Sequence, residues 1–257
     1  MPSLWDETRV GVFETLQVLH GRPVALEAHW QRLLASQRTV RRPLPPSAAR
    51  AHLTRAARAM PGGVGGLRLE VTSTAAGPAL AIRILPRRSH RPGAGSDGGR
   101  GVAVVTAAGR AGSPAALPAQ VKSIERIPSV LAWGEAPPEG VFEVLWCNAQ
   151  GYLVEGTVSN LFIVRRACLM TPPVWAGALA GVVRDALLRL ARRLRVPVVE
   201  QPFTRHELFT AAEAFLTNSL IGVAPVRVAD GRRIGRRCPG VITRRLQRAY
   251  AAWRRTA

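Results

Sequence analysis

Lys122, in the stretch AQVKSIERIPSV, is the only lysine among 36 basic residues. Arginine carries surface charge as well as lysine does. It keeps its proton near neutral pH, however, and cannot act as an amine nucleophile. The one retained amine is where nucleophilic chemistry would reside, provided the fold holds it partly desolvated with a lowered pKa. Taken alone, the same residue also reads as an ordinary surface lysine.

Three further stretches supply complementary chemistry. In YLVEGTVSNLFIV, Glu155 stands at a strand end beside Gly156, and the small polar residues Thr157, Ser159 and Asn160 are expected to hydrogen-bond its carboxylate. A solvent-facing turn is the plainer reading of that stretch. In TPPVWAGALAGVVR, Gly177 and Gly181 bracket the start of a helix whose free N–H groups and dipole suit a phosphate. In AFLTNSLIGVAPV, Thr217, Asn218 and Ser219 close a strand with groups able to donate to an anion. An amine, a carboxylate, a helix N-terminus and a hydroxyl-rich turn are together what pyridoxal 5′-phosphate requires. They provide an imine partner, an anion at the pyridinium nitrogen and a phosphate cup.

The elements that must position these groups follow from composition and pattern. At 257 residues, 47% of them apolar, the chain can build one large domain or two small ones around a sizeable core. It contains no run of about 18 apolar residues that would span a membrane. The start, MPSLWDETRVGVFE, lacks a secretory pattern. Cys147, Cys168 and Cys238 lie far apart without a CxxC, which reads as free thiols in a reducing cytoplasm and argues against a metal site. The net charge of +20 raises nucleic-acid binding. Yet the arginines carry no zinc-finger or RNA-recognition signature, and aromatics are only 5% of residues. A basic enzyme acting on a small anionic amine or carboxylate is the preferred reading.

Along the chain, 10–19 reads as a strand, His20-Gly21-Arg22 as a turn and 23–26 as its return. Helices are expected at 27–38 and, capped by Ser47, up to Met60. A strand pair follows at 66–72 and 79–85 around a Gly-Pro turn. Residues 86–100, PRRSHRPGAGSDGGR, contain no aliphatic residue larger than alanine and are taken as the linker between a small domain, 1–85, and a larger one, 101–257. In the larger domain strands are expected at 102–107, 141–147, 151–154, 160–165, 167–170, 196–201 and 213–217. Helices are expected at 181–194 and 240–254, and a hairpin around Asp230-Gly231. This mixture implies an α+β fold.

Five stretches, GVFETLQVLHGRPVALEAHWQRL, VKSIERIPSVLAWGEA, YLVEGTVSNLFIV, TPPVWAGALAGVVRDALLRLA and EAFLTNSLIGVAPV, run in order over residues 11–226. In this the chain resembles the class IV, fold type IV, pyridoxal-phosphate enzymes. These include branched-chain and D-amino-acid aminotransferases and 4-amino-4-deoxychorismate lyase. The resemblance implies a two-domain, D-amino-acid aminotransferase-like architecture and a homodimer. It makes Lys122 the Schiff-base lysine and Glu155 the partner of the pyridine nitrogen. Arg32 becomes the phosphate-gripping arginine, and Gly181, Val182 and Val183 the backbone donors to the phosphate. Ser219 and Leu220 match the phosphate turn, and Asn160 the support of the glutamate loop. Arg68 and Thr217 are the candidates for binding a substrate carboxylate. The chain departs from the family at Ile127, where branched-chain aminotransferases usually place tyrosine, and at Val183, where threonine is common. Its segment ahead of GVFET is also short.

Such a site can send a substrate carbanion two ways. Reprotonation on the cofactor completes transamination. Loss of an enolpyruvyl group as pyruvate makes p-aminobenzoate, a folate precursor. The short chain, Ile127 and the TNSLIGVAPV turn favour the lyase. A transaminase on the same scaffold, or a basic binding protein with a vestigial site, are the alternatives.

Overall fold

The computed structural model describes residues 11–40, 48–74, 77–85, 101–110, 121–123 and 139–257. Its contacts divide the chain into two units. One comprises 1–89, 121–126 and 255–257, the other 90–120 and 127–254. The expected linker 86–100, Ser47, Ile127, and the segments immediately before and after 121–123 lie outside the described residues.

In the first unit, β1 (Val12–Leu19), β2 (Arg22–Pro23), α1 (Leu26–Thr39), α2 (Ala48–Arg58), β3 (Val64–Thr74) and β4 (Gly77–Leu85) follow one another. The strands form an antiparallel sheet of order β2-β1-β3-β4. The turn into β2 puts both His20 and Gly21 at positive φ, which matches the right-handed twist of a tight hairpin. Period-2 alternation turns Val12, Leu16 and Val18 of β1 inward. They meet Trp30 and Leu33 of α1 and Leu53 and Ala57 of α2, so both helices cover one face of the sheet. Glu14 shares that inward parity, and a buried carboxylate demands partners.

The second unit contains β5 (Val102–Arg110), β6 (Val141–Cys147), β7 (Leu153–Gly156), β8 (Asn160–Arg165), β9 (Cys168–Thr171), α3 (Val182–Arg193), β10 (Val198–Glu200), α4 (Arg205–Phe209), β11 (Glu213–Asn218), β12 (Gly222–Ala229), β13 (Arg232–Arg233) and α5 (Val241–Trp253). The order β8-β11-β12-β5-β6-β7 returns to β8, because β7 also pairs with β8. The sheet therefore closes into a barrel, and β9 and β10 extend it from β8. Closure removes the open edge that an exposed sheet would otherwise present.

Strands covered on both sides are apolar at every position. In β8, Leu161 and Ile163 join one cluster with Val104, Leu145 and Leu216, inside the barrel. Phe162 and Val164 join the other with Leu187 of α3 and Leu246 and Tyr250 of α5, on the outer face. There Phe162 stacks on Phe215, with ring centroids 5.0 Å apart.

The α4 helix escaped the sequence reading, and β12 was read only at its end, as one arm of the Asp230-Gly231 hairpin. β12 carries Pro225, which cannot donate to a ladder and so argues against a strand. The α4 helix is only five residues long, but Thr204 and Glu207 form a reciprocal capping box that was readable in TRHE. Asp230 and Gly231, both at positive φ, make the expected hairpin between β12 and β13. Among the described residues no helix is long and apolar enough to cross a membrane.

Candidate active site

In the barrel unit, Glu155 and Asn160 face each other as the Cα pair that joins β7 to β8. Glu155 Oε2 accepts from Asn160 Nδ2 at 2.9 Å and from the Leu179 amide at 2.9 Å. Asn160 Nδ2 also donates to the Leu179 carbonyl at 2.9 Å. A carboxylate held by two donors within a closed sheet has a fixed direction. Leu179 belongs to the loop leading into α3, so the same contacts set where that helix begins. At Gly181, the residue capping α3, a Cβ would sit 1.9 Å from Asn160 Oδ1. Its φ of −72° is open to any residue, so the close approach is what selects glycine here.

The hydroxyls expected to serve Glu155 are found elsewhere. Thr157 Oγ1 donates to Glu143 Oε1, and Ser159 Oγ donates to Glu143 Oε2 at 2.9 Å. The Thr157 amide also reaches Glu143 Oε1, at 3.0 Å. Glu143, on β6, is fully buried, and desolvation raises its carboxyl above the usual carboxylate range against the pull of these bonds. Thr157 and Ser159 lie in the turn between β7 and β8, where Glu143 of β6 supplies their acceptor.

α3 opens without a side-chain cap. Its first N–H groups, at Val182 and Val183, are the orphan donors of any helix start. Arg184 is buried and anchors this end, donating to the Pro172 carbonyl at 2.9 Å and to Glu200 Oε2 at 2.7 Å. Thr217, at the end of β11, pairs in register with Asn160. Its buried Oγ1 has no hydrogen-bond partner among the described residues. In the following turn, Asn218 Oδ1 accepts from the Leu220 and Ile221 amides, each at 2.9 Å. Asn218 Nδ2 reaches the Val158 carbonyl at 3.2 Å. Ser219 is half-buried in this turn.

In the first unit, Lys122 lies against β1. Its carbonyl accepts from the Phe13 amide at 3.0 Å, and Ser123 bridges to Val12. Lys122 Nζ lies 4.7 Å from the Phe13 ring centroid, and Arg68 Cζ lies 3.8 Å from it. Arg68 also donates to Glu70 Oε1 at 2.6 Å. Arg32 grips Glu14 bidentately, Nε to Oε1 and Nη2 to Oε2, each at 2.7 Å. His29 Nδ1 lies 2.7 Å from Glu14 Oε2. Burial would raise the Glu14 pKa, but Arg32 and His29 outweigh it and hold the carboxyl at about 2. Burial lowers His29, so it stays neutral near pH 7, and its Nδ1–H donates to the ionised Glu14.

Within the barrel unit, then, Glu155, Asn160, Gly181 and Thr217 form one connected set. Within the first unit, Lys122 and Arg68 share Phe13, while Arg32 belongs to the Glu14–His29 cluster. The sequence reading missed Glu14, His29, Glu143 and the capping role of Asn218. The available signal was a carboxylate at an inward strand position, in VFET and again in VFEVLW.

A family model described as "Amino-transferase class IV" matches residues 11–229. A curated relative, the putative branched-chain-amino-acid aminotransferase of Methanocaldococcus jannaschii, is 41% identical over 130 residues, covering 51% of this chain and 45% of that protein. The chain spans less than half the length of the curated relatives it matches. Among solved structures, 4-amino-4-deoxychorismate lyase from Pseudomonas aeruginosa superposes with a TM-score of 0.80 at 32% identity, covering 93% of this chain and 88% of that one. The branched-chain amino acid aminotransferase of Escherichia coli superposes with a TM-score of 0.81 at 28% identity, covering 95% and 84%.

Proposed function

Since the chain belongs to the class IV amino-transferase family, whose members use pyridoxal 5′-phosphate, we propose that it is a lyase converting 4-amino-4-deoxychorismate to p-aminobenzoate and pyruvate. The observation that carries the lyase reading is the similarity to the Pseudomonas lyase along nearly the whole chain. That identity exceeds the one to the Escherichia aminotransferase structure.

The residues present fit the cofactor. Glu155 is a carboxylate with a fixed direction. The Thr217 hydroxyl, in register with Asn160, is buried without a partner among the described residues. Lys122 is the amine that would hold the group. Glu155, aimed by Asn160, would keep the ring nitrogen protonated. Arg32, the first N–H groups of α3 at Val182 and Val183, and Ser219 would take the phosphate, whereas the Gly181 amide already donates to the Leu179 carbonyl at 2.8 Å. At Val183 only the backbone can contribute. At Leu220 the amide already serves Asn218, so Ser219 carries the turn's share. Arg68 and Thr217 would receive a substrate carboxylate.

When bound, pyridoxal 5′-phosphate supplies an aldehyde for the substrate amine and an electron sink for the charge left when a proton departs. The chain's part is proton handling and placement. Lys122 Nζ takes the proton from the carbon that bears the amine. It returns a proton to the departing enolpyruvyl group, which leaves as pyruvate, and the ring becomes aromatic. Product and substrate then balance without an oxidant. Glu155 would offset the positive charge of the ring nitrogen.

The experiment uses the sole lysine. The purified chain is expected to be yellow with the cofactor, and borohydride should fix the label on the Lys122 peptide. A colourless, unlabelled protein would leave only a vestigial binding site. Supplied with 4-amino-4-deoxychorismate, the enzyme should form p-aminobenzoate and pyruvate. Glutamate formation from amino donors and 2-oxoglutarate, without p-aminobenzoate, would favour the aminotransferase reading instead. That second reading is supported by the Methanocaldococcus relative. A cytoplasmic homodimer is part of the same proposal, and light scattering tests the dimer.

A further inference from the structure

Glu143 is absent from every role assigned above, yet it is the most deeply buried carboxylate among the described residues of the barrel unit. It lies beneath the turn from Gly156 to Ser159, whose flanks are Glu155 and Asn160. Those flanks meet at a single Cα pair among the described residues. One further backbone bond, from the Gly156 amide to the Ser159 carbonyl at 2.7 Å, closes the turn. So short a ladder fixes register weakly by itself. What anchors the turn is β6: the Thr157 amide meets the Val144 carbonyl at 3.1 Å, and three donors from Thr157 and Ser159 converge on Glu143. The packing leaves no slack, since a Cβ on Gly156 would lie 2.6 Å from Glu143 Cγ.

We propose that Glu143 is a positioning residue: its buried carboxylate grips the 156–159 turn and thereby aims Glu155 at the cofactor's ring nitrogen. The proposal rests on the reading of Glu155 as the ring-nitrogen partner. Two of the three donors are hydroxyls, which can also accept. A Glu143 that carries a proton can therefore still bond Ser159, while its other oxygen receives the Thr157 amide. The raised carboxyl is compatible with the same grip.

The test compares Glu143→Leu, which removes all three bonds, with Glu143→Gln, which can accept from Thr157 and donate to Ser159. In Glu143→Leu the affinity for pyridoxal 5′-phosphate should fall about tenfold, the cost of leaving buried donors unpaired. The bound-cofactor absorbance should shift in the direction seen for Glu155→Gln. Glu143→Gln should restore both most of the way. If Glu143→Leu folds with wild-type absorbance and affinity, the proposal is wrong. Should that variant not fold, Thr157→Val and Ser159→Ala leave Glu143 in place and each remove one hydroxyl. Their double variant must show the same absorbance shift, and an unchanged spectrum overturns the idea. Hydrogen exchange in the cofactor-free full chain separates the two readings. Wild type that takes up no cofactor defeats the assignment of Glu155. The brace itself stands only if Glu143→Leu then speeds exchange across 155–160, and it falls if exchange is unchanged.

Discussion

Asn160 Nδ2 lies 2.9 Å from Glu155 Oε2, and both groups also bond the backbone of Leu179, one to its carbonyl and one to its amide. One asparagine thus ties a barrel hairpin to the loop that starts α3. Any change at this point should disturb the carboxylate and the helix start together.

Asn160→Ala is the direct probe. It deletes the two side-chain bonds, leaving Glu155 Oε2 with the Leu179 amide. Stability should fall by about 1–3 kcal/mol, the usual cost of breaking a buried polar contact. Urea unfolding measures this. Cofactor titration should show weaker binding in the same variant.

Gly181→Ala isolates the close approach. Alanine fits the φ of −72° at this position, so backbone strain does not contribute. The added Cβ would overlap Asn160 Oδ1. Overpacking of this kind costs about 1–3 kcal/mol. Combining it with Asn160→Ala should cost less than the two single changes summed, because the clash partner is gone. Strictly additive losses would show that the clash is relieved some other way.

Acid should unfold the first unit through Glu14. Its folded pKa, about 2, lies below the ordinary 4.5. A carboxyl depressed on folding stabilises fully above its unfolded value and loses that contribution as pH falls through the folded one. The window therefore runs from 4.5 down to about 2. The contribution is about 3 kcal/mol at 1.36 kcal/mol per pKa unit. His29, lowered by burial, acts with the same sign: its share fades as pH drops below its ordinary 6.5. Glu14→Gln should flatten the acid limb of a stability-versus-pH curve. It should also weaken the protein at neutral pH, where Arg32 loses its counter-charge.

Glu213 provides a check remote from the proposed chemistry. It is buried, and it accepts from the Ile242 and Thr243 amides at 3.0 and 2.7 Å and from Thr243 Oγ1 at 2.6 Å. It therefore caps α5 from β11. Glu213→Ala should cost about 1–2 kcal/mol, visible as lost protection of the first turn of α5. Cofactor binding should stay unchanged.

Much of this was legible along the chain. The strand at 141–147 and the strand at 160–165 were read with their observed ends, and the long helices to within about two residues, the usual uncertainty of a boundary. Period-2 and period-3.6 patterns are local and survive in a string of letters. The hairpins at His20-Gly21 and Asp230-Gly231 were legible for the same reason, since positive φ favours those residues. The body of β12, ahead of the Asp230-Gly231 hairpin, was hidden because Pro225 sends the opposite local signal while tertiary pairing overrides it.

Among the candidate residues, Glu155 and Asn160 were legible because they sit five apart on one hairpin, and Gly181 because it opens a helix. The sequence by itself determined which groups are available: one amine, a carboxylate at a strand end, a helix start and a polar turn. Only the tertiary structure decided who partners whom. Arg32 meets Glu14 from 18 residues away. The hydroxyls of Thr157 and Ser159 turn to Glu143, 14 and 16 residues back, and Asn218 reaches Val158 across 60. Such pairings leave no periodic trace. They arise because burial makes an unpartnered charge or donor costly, and the partner that satisfies it is whichever group the sheet register brings alongside.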